Sequence, residues 1–353
     1  MSIFQDYNKK IKEPNKRAME QAKAHWDSIA KPLEGLGRLE DILIRIAGMT
    51  KTADVSIEKR GLIAMCADNG IVEEGVTQTD KSVTAIVAAN MAAGLASVNR
   101  MCQIARVDVM AVDIGIDKDT KDTGLLQKKA AYGTKNFLKE PAMTKEEAKQ
   151  AILTGMELVK ECQEKGYEIL ATGEMGIGNT TTSSALASVL LDLPPELVTG
   201  KGAGLSRSGI EKKVSVIKEG ISKYQLKAEE PFEALRCVGG LDIAGLTGVF
   251  LGGALYGIPI VIDGVISAVA ALTAVRLCPK VKGYLIASHQ GKEPASRAVM
   301  EALGLSPIIH GNLALGEGTG AALLFPMLDM ALSVYKENAT FEQVQIEAYQ
   351  HFQ

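Results

Sequence analysis

Paired cysteines are missing from this chain. Cys66, Cys102, Cys162, Cys237 and Cys278 are odd in number, widely spaced and never in a CxxC arrangement, which argues against a structural zinc site or a disulfide framework and predicts reduced thiols in a cytoplasmic protein. Basic clusters are missing too: 39 Lys and Arg are scattered among 42 Asp and Glu, for a net charge of −3, and this leaves no electrostatic footprint for nucleic acid. The N-terminal MSIFQDYNKKIKEP lacks the apolar core of a secretory leader. No Pro/Ser-rich linker, internal repeat or low-complexity tract divides the chain.

Long hydrophobic runs are nearly absent. The one exception is IAGLTGVFLGGALYGIPIVI, the twenty uncharged residues between Asp242 and Asp263, long enough to cross a bilayer core of about 30 Å. Its five glycines, Pro259 and a natural split into a helix over 242–255 and a strand IPIVID predict instead a helix buried against a parallel sheet.

What is present is a series of short apolar runs: 61–68, 107–113, 167–174, 258–264 and 283–289, each followed by residues of helical periodicity. Successive βα units of this kind predict an α/β fold, a Rossmann-like domain with a mainly parallel sheet. At 353 residues the chain suggests about two domains: a large α/β domain over 56–324, and a smaller helical domain built from both chain ends, 1–55 with 325–353. The runs end in Asp68, Asp113, Glu174, Asp263 and Ser288. Carboxyl ends of parallel strands form the ligand crevice, so several of these side chains should converge there.

Residues 173–185, GEMGIGNTTTSSA, follow the third run. They lack the lysine of a Walker loop and the GxGxxG order of a dinucleotide loop. The shared physics survives: glycines admit a ligand to the backbone, and free N–H groups at a helix start favour an anion. A tight turn capped by Asn179 or Thr180 would use the same residues. Glu174 is the wrong charge for phosphate alone, and it fits a ligand part that carries or develops positive charge. A second glycine-flanked acid, Glu317, opens the late helix in LALGEGTGAALLF; it either offsets the helix dipole or faces a cleft. The segment TGKGAGLSRSGIEKKVSVI at 199–217 contributes glycines and Lys213, either a solvated helix lysine or a cation able to meet a phosphate monoester.

Together PLEGLGRLE (32–40), ADNGIVEEGV (67–76), VTAIVAANM (83–91), GEMGIGNTTT (173–182), VGGLDIAGLTGVFLGG (238–253), VIDGVISAVAALTA (261–274) and LGEGTGAAL (315–323) resemble the nicotinate-nucleotide:dimethylbenzimidazole phosphoribosyltransferase family over nearly the whole chain. The resemblance implies transfer of the phosphoribosyl group of nicotinate mononucleotide to a cobamide lower-ligand base, giving an α-ribotide and nicotinate. It implies no cofactor and no metal, because a pyridinium leaves without one, and a dimer, either of identical chains or with a paralogous subunit. Glu317 would be the general base and Glu174 would stabilise positive charge on the ribose. Gly176, Gly178, Asn179, Thr180, Gly202, Gly204 and Lys213 would hold phosphate and ribose, and Thr79, Val87, Met175 and Leu315 the acceptor. The chain departs from the pattern at Asn69, where ADHG has histidine, and at PLEGLGRLE in place of PLGSLGRLE. It departs again at Val87, where benzimidazole users often carry glutamine; a phenolic acceptor would suit that apolar residue. A nucleotide hydrolase with Glu317 activating water, or a nucleotide-binding regulatory protein, are the readings from other classes.

Overall fold

The computed structural model describes residues 2–202 and 204–351. Six strands, β1 (Arg60–Ala67), β2 (Val107–Gly115), β3 (Leu126–Gln127), β4 (Ile169–Met175), β5 (Ile260–Ile262) and β6 (Leu285–Ala287), form one sheet in the order β3-β2-β1-β4-β5-β6. All five pairings are parallel, as the α/β reading of the sequence expects. Every residue of β1 is buried; helices cover both faces of such a sheet, which is why its strands read as unbroken apolar runs rather than alternating ones. Two features escaped the sequence reading: the two-residue edge strand β3, and a separate parallel pair, β7 (His289–Gly291) with β8 (Ile309–Leu313).

The apolar run after Asp242 divides as expected. A helix occupies Leu241–Tyr256, the chain turns at Gly257 with φ +78°, and β5 follows. Every residue from Leu241 to Ala254 is buried, because the helix is sandwiched between the sheet and the helix Lys145–Glu164. Their backbones touch: a methyl group on Gly155 would overlap the Gly245 carbonyl oxygen, and one on Gly248 the Ile152 carbonyl oxygen. Small residues are what allow that approach. The segment Ser82–Ala105 is apolar enough on average to cross a membrane, yet it breaks into two helices, Ser82–Ala92 and Ser97–Ala105.

The two chain ends meet. Trp26, at 1% exposure, lies 4.9 Å from the Tyr335 ring, Ile29 bridges Thr340, and Ala30 N–H donates to Ala339 O at 2.9 Å. Glu34, at the position where the usual PLGSLGRLE pattern has glycine, adopts φ +53°, a conformation that a side-chain-bearing residue enters at a cost. The last helix, Thr319–Glu337, with Pro326 in its interior, crosses the expected domain boundary at 324/325, so one helix has its first turn at the carboxyl end of the sheet and its last turn against the N-terminal helices.

Candidate active site

Strand order reverses at β1, which is flanked by β2 and β4; in such sheets ligands bind beyond the carboxyl ends near that switch. Here side chains fill the switch point itself. Asn69 is fully buried and its Nδ2 donates to Ile177 O at 3.3 Å. A methyl group on Gly176 would press on Ala67 O and Asp242 Oδ2. Asn179, the first residue of the helix Asn179–Leu191, donates its side-chain amide to Asp242 Oδ2 at 3.0 Å and to Glu174 Oε2. Two carboxyls thus share one buried amide. Burial, reinforced by Asp242, pushes the Glu174 carboxyl up to about 8, and burial likewise pushes Asp242 up to about 6. At neutral pH the ligand-free site therefore keeps a proton on Glu174, which a cation arriving beside it would expel.

The second acid sits in a strained loop. Gly316, Glu317 and Gly318 have φ +85°, +63° and +97°; three consecutive left-handed residues explain the flanking glycines, and Glu317 adopts the conformation without that freedom. Asp263, at the end of β5, holds the loop by accepting Gly318 N–H at 3.1 Å and Ala321 N–H at 3.0 Å, so it caps the last helix from outside the loop. The Glu317 carboxylate, half-buried, accepts Val98 N–H at 3.2 Å from the first turn of the helix Ser97–Ala105.

Between these acids lies a cavity of about 290 Å³. Val87, Glu174, Met175, Gly176, Asn179, Thr180, Gly202, Leu315 and Glu317 all line it. Gly178 and Thr79 line a smaller cavity of about 80 Å³ that shares Gly176, Asn179 and Thr180 with the first. Thr79 is exposed there and is not beside Val87 on the main wall. Gly204 lines neither cavity, its carbonyl instead accepting the Gln78 side-chain amide. Lys213 is fully buried behind the wall, its Nζ 2.8 Å from Thr180 Oγ1 and 3.4 Å from Gly200 O.

Two expectations need correction. Neither Asn179 nor Thr180 is the helix cap: Gly178 is, at φ +92°, and the two side chains are free for Asp242, Glu174 and Lys213. Thr182, Ser183 and Ser184 turn inward to carbonyls of their own helix, so the hydroxyl run is structural. Of the strand-end residues only Glu174 and Asp263 reach the cleft. Asp113 is consumed by an ion pair with Lys129 at 2.7 Å, Asp68 accepts Asp117 N–H at 2.8 Å, and Ser288 donates to Ile262 O at 2.6 Å.

The sequence reading missed His289, Lys292 and Glu293, which also line the cavity. His289 follows Ser288 directly, and burial lowers its pKa, keeping the ring neutral; a methyl group on Gly320 would overlap that ring, so the imidazole packs against the start of the last helix. Among the described residues no cluster of three or more His, Cys, Asp or Glu is placed to hold a metal ion.

A parallel α/β sheet with a cleft beyond its carboxyl ends, lined by several carboxyls, has the layout of an α/β transferase. A family model described as phosphoribosyltransferase matches residues 11–346. The nicotinate-nucleotide–dimethylbenzimidazole phosphoribosyltransferase of Acetivibrio thermocellus is 47% identical over 342 residues, covering 97% of each chain, and that of Clostridium acetobutylicum is 46% identical over 94% of this chain and 95% of its own. The crystal structure of CobT from Thermus thermophilus superposes with a TM-score of 0.89 at 35% identity, over 94% of this chain and all of that one. The chain belongs to the nicotinate-nucleotide–dimethylbenzimidazole phosphoribosyltransferase family.

Proposed function

We propose that this protein moves the phosphoribosyl group of nicotinate mononucleotide to a cobamide lower-ligand base, dimethylbenzimidazole or a related aromatic base, with release of nicotinate. The observation that carries this reading is the charge layout of the cleft. Four acids, Glu174, Asp263, Glu293 and Glu317, line it against one lysine, Lys292, while a buried ammonium stands behind Thr180 at one corner. A donor with a phosphate at one end and a pyridinium at the other matches both ends of that layout.

The chemistry follows from the same residues. The bond from the anomeric carbon to the pyridinium nitrogen breaks, its electron pair neutralises the ring, and nicotinate departs. Positive charge developing on the ribose is stabilised by Glu174, which the donor's own cation converts to its ionised form. An acceptor nitrogen attacks the opposite face of that carbon, giving the α-ribotide, and its proton passes to Glu317. Thr180, Gly176, Gly202 and Lys213 hold the phosphate.

Competition between benzimidazoles and phenols, with nicotinate mononucleotide as donor and mass spectrometry of the products, tests the reading. α-Ribotides of the supplied acceptors are the expected products. Nicotinate released at the same rate without any acceptor would make the protein a hydrolase and sink the proposal.

Val87 is the residue proposed to bias the acceptor, because it is half-buried on the cleft wall and offers no polar partner. Val87→Gln is expected to favour a benzimidazole over a phenol of similar size by about two- to tenfold in the ratio of specificity constants, the value of one neutral hydrogen bond. An unchanged ratio with a lowered melting temperature would return Val87 to the core. A dimer is part of the proposal, of identical chains or with a paralogous subunit. Supporting it are the exposed apolar side chains Ile86, Leu95 and Ile104, at 59%, 63% and 80% exposure, along the segment Ser82–Ala105. A cytoplasmic setting is supported by five buried cysteines, all unpaired.

A further inference from the structure

One carboxylate on the cleft wall has no part in the chemistry above. Glu293 follows β7 by two residues, is half-buried, and lines the cavity at the corner nearest the glycine segment that begins at Gly200. A methyl group on Gly200 would overlap Glu293 Oε2, so the carboxylate reaches the Gly200 backbone and only a glycine there leaves it room. The Gly200 carbonyl is one of the two oxygens that Lys213 Nζ contacts, Thr180 Oγ1 being the other. Among the described residues this fully buried ammonium has no ion-pair partner within bonding distance. A buried charge in that state needs an opposite charge nearby, and Glu293 is the acid that opposes the effect of burial on Lys213.

We propose that Glu293 is the resident counter-ion of the Lys213 corner in the ligand-free enzyme, and that it competes with any incoming phosphate for that corner. This inference rests on the reading that the corner receives the donor's phosphate monoester. A bare anion such as inorganic phosphate has only the corner to gain, and must displace a carboxylate to gain it. A nucleotide makes ribose and ring contacts as well, so it overcomes the same competition. Glu293 thereby weakens both by the same factor, which leaves the bare anion weakly held while the nucleotide still binds, without touching the reacting atoms.

The test compares wild type with Glu293→Gln at pH 6.5, where Lys213 carries its proton. Inorganic phosphate is titrated by calorimetry, and as an inhibitor against varied nicotinate mononucleotide. Expected in the variant are tighter phosphate binding and a lower donor KM, each by roughly three- to tenfold, the scale of one partly exposed charge interaction, with kcat changed by less than about twofold. Glu293→Asp, which withdraws the carboxylate by one methylene, should fall between the two. Unchanged phosphate affinity, or weaker binding because Glu293 serves only to keep Lys213 charged, would overturn the proposal. Wild-type enzyme that makes no ribotide would instead refute the donor reading, while the phosphate titration would still decide the role of Glu293.

Discussion

Glu317→Gln is expected to fold normally and to turn over roughly 10²- to 10⁴-fold more slowly than wild type, the usual range for loss of a positioned general base. The amide keeps an oxygen able to accept Val98 N–H, the bond that the carboxylate makes at 3.2 Å. The left-handed backbone at 316–318 is held from outside by Asp263, so the loop does not depend on the charge. Steady-state rates with saturating donor and acceptor, alongside thermal melts, check both halves. If the variant works at near-normal speed with normal stability, Glu317 has no proton to take and the base lies elsewhere on the cleft wall, with neutral His289 the next residue to substitute.

Lys213→Met is expected to raise the donor KM by roughly 30-fold or more, because it removes the buried ammonium behind Thr180 at the proposed phosphate corner. The same change should leave the melting temperature unchanged or higher. An ammonium at 0% exposure, held by one hydroxyl and a carbonyl at 3.4 Å, is costly to bury, and methionine fills its channel without that cost. Burial pushes the Lys213 ammonium down to about 8, with Glu293 opposing the shift. In the ligand-free wild-type enzyme the ammonium is therefore present below that pH and lost above it. The donor-affinity advantage of wild type over the methionine variant should be full below about pH 8 and shrink as pH rises through it, while ionisation of Glu174 in the same range acts on both proteins alike. Donor titrations from pH 6.5 to 9 on both proteins test this, and an identical donor KM in both would remove Lys213 from phosphate binding.

Much of this could be read from the sequence, for a physical reason: buried parallel strands advertise themselves as apolar runs, and glycine-flanked acids such as Glu174 and Glu317 break the composition around them. The missed elements depend on partners distant in the chain. Asp263 caps a helix that begins at Thr319, and nothing around Asp263 in the sequence announces that. His289 and Glu293 are on or just beyond a three-residue strand that pairs with another only five residues long, too short for periodicity to reveal. Asp113 carried the same signal as Glu174 and was misleading, because only the fold brings Lys129 to it.

The cavity wall is assembled from segments that are independent in the chain. Val87 comes from one helix and Leu315 from a loop, whereas the Thr180–Lys213 corner belongs to two other segments. Under the proposed function, a lineage would exchange one aromatic substrate for another by single steps at Val87 or Leu315 without altering the residues that grip the phosphate.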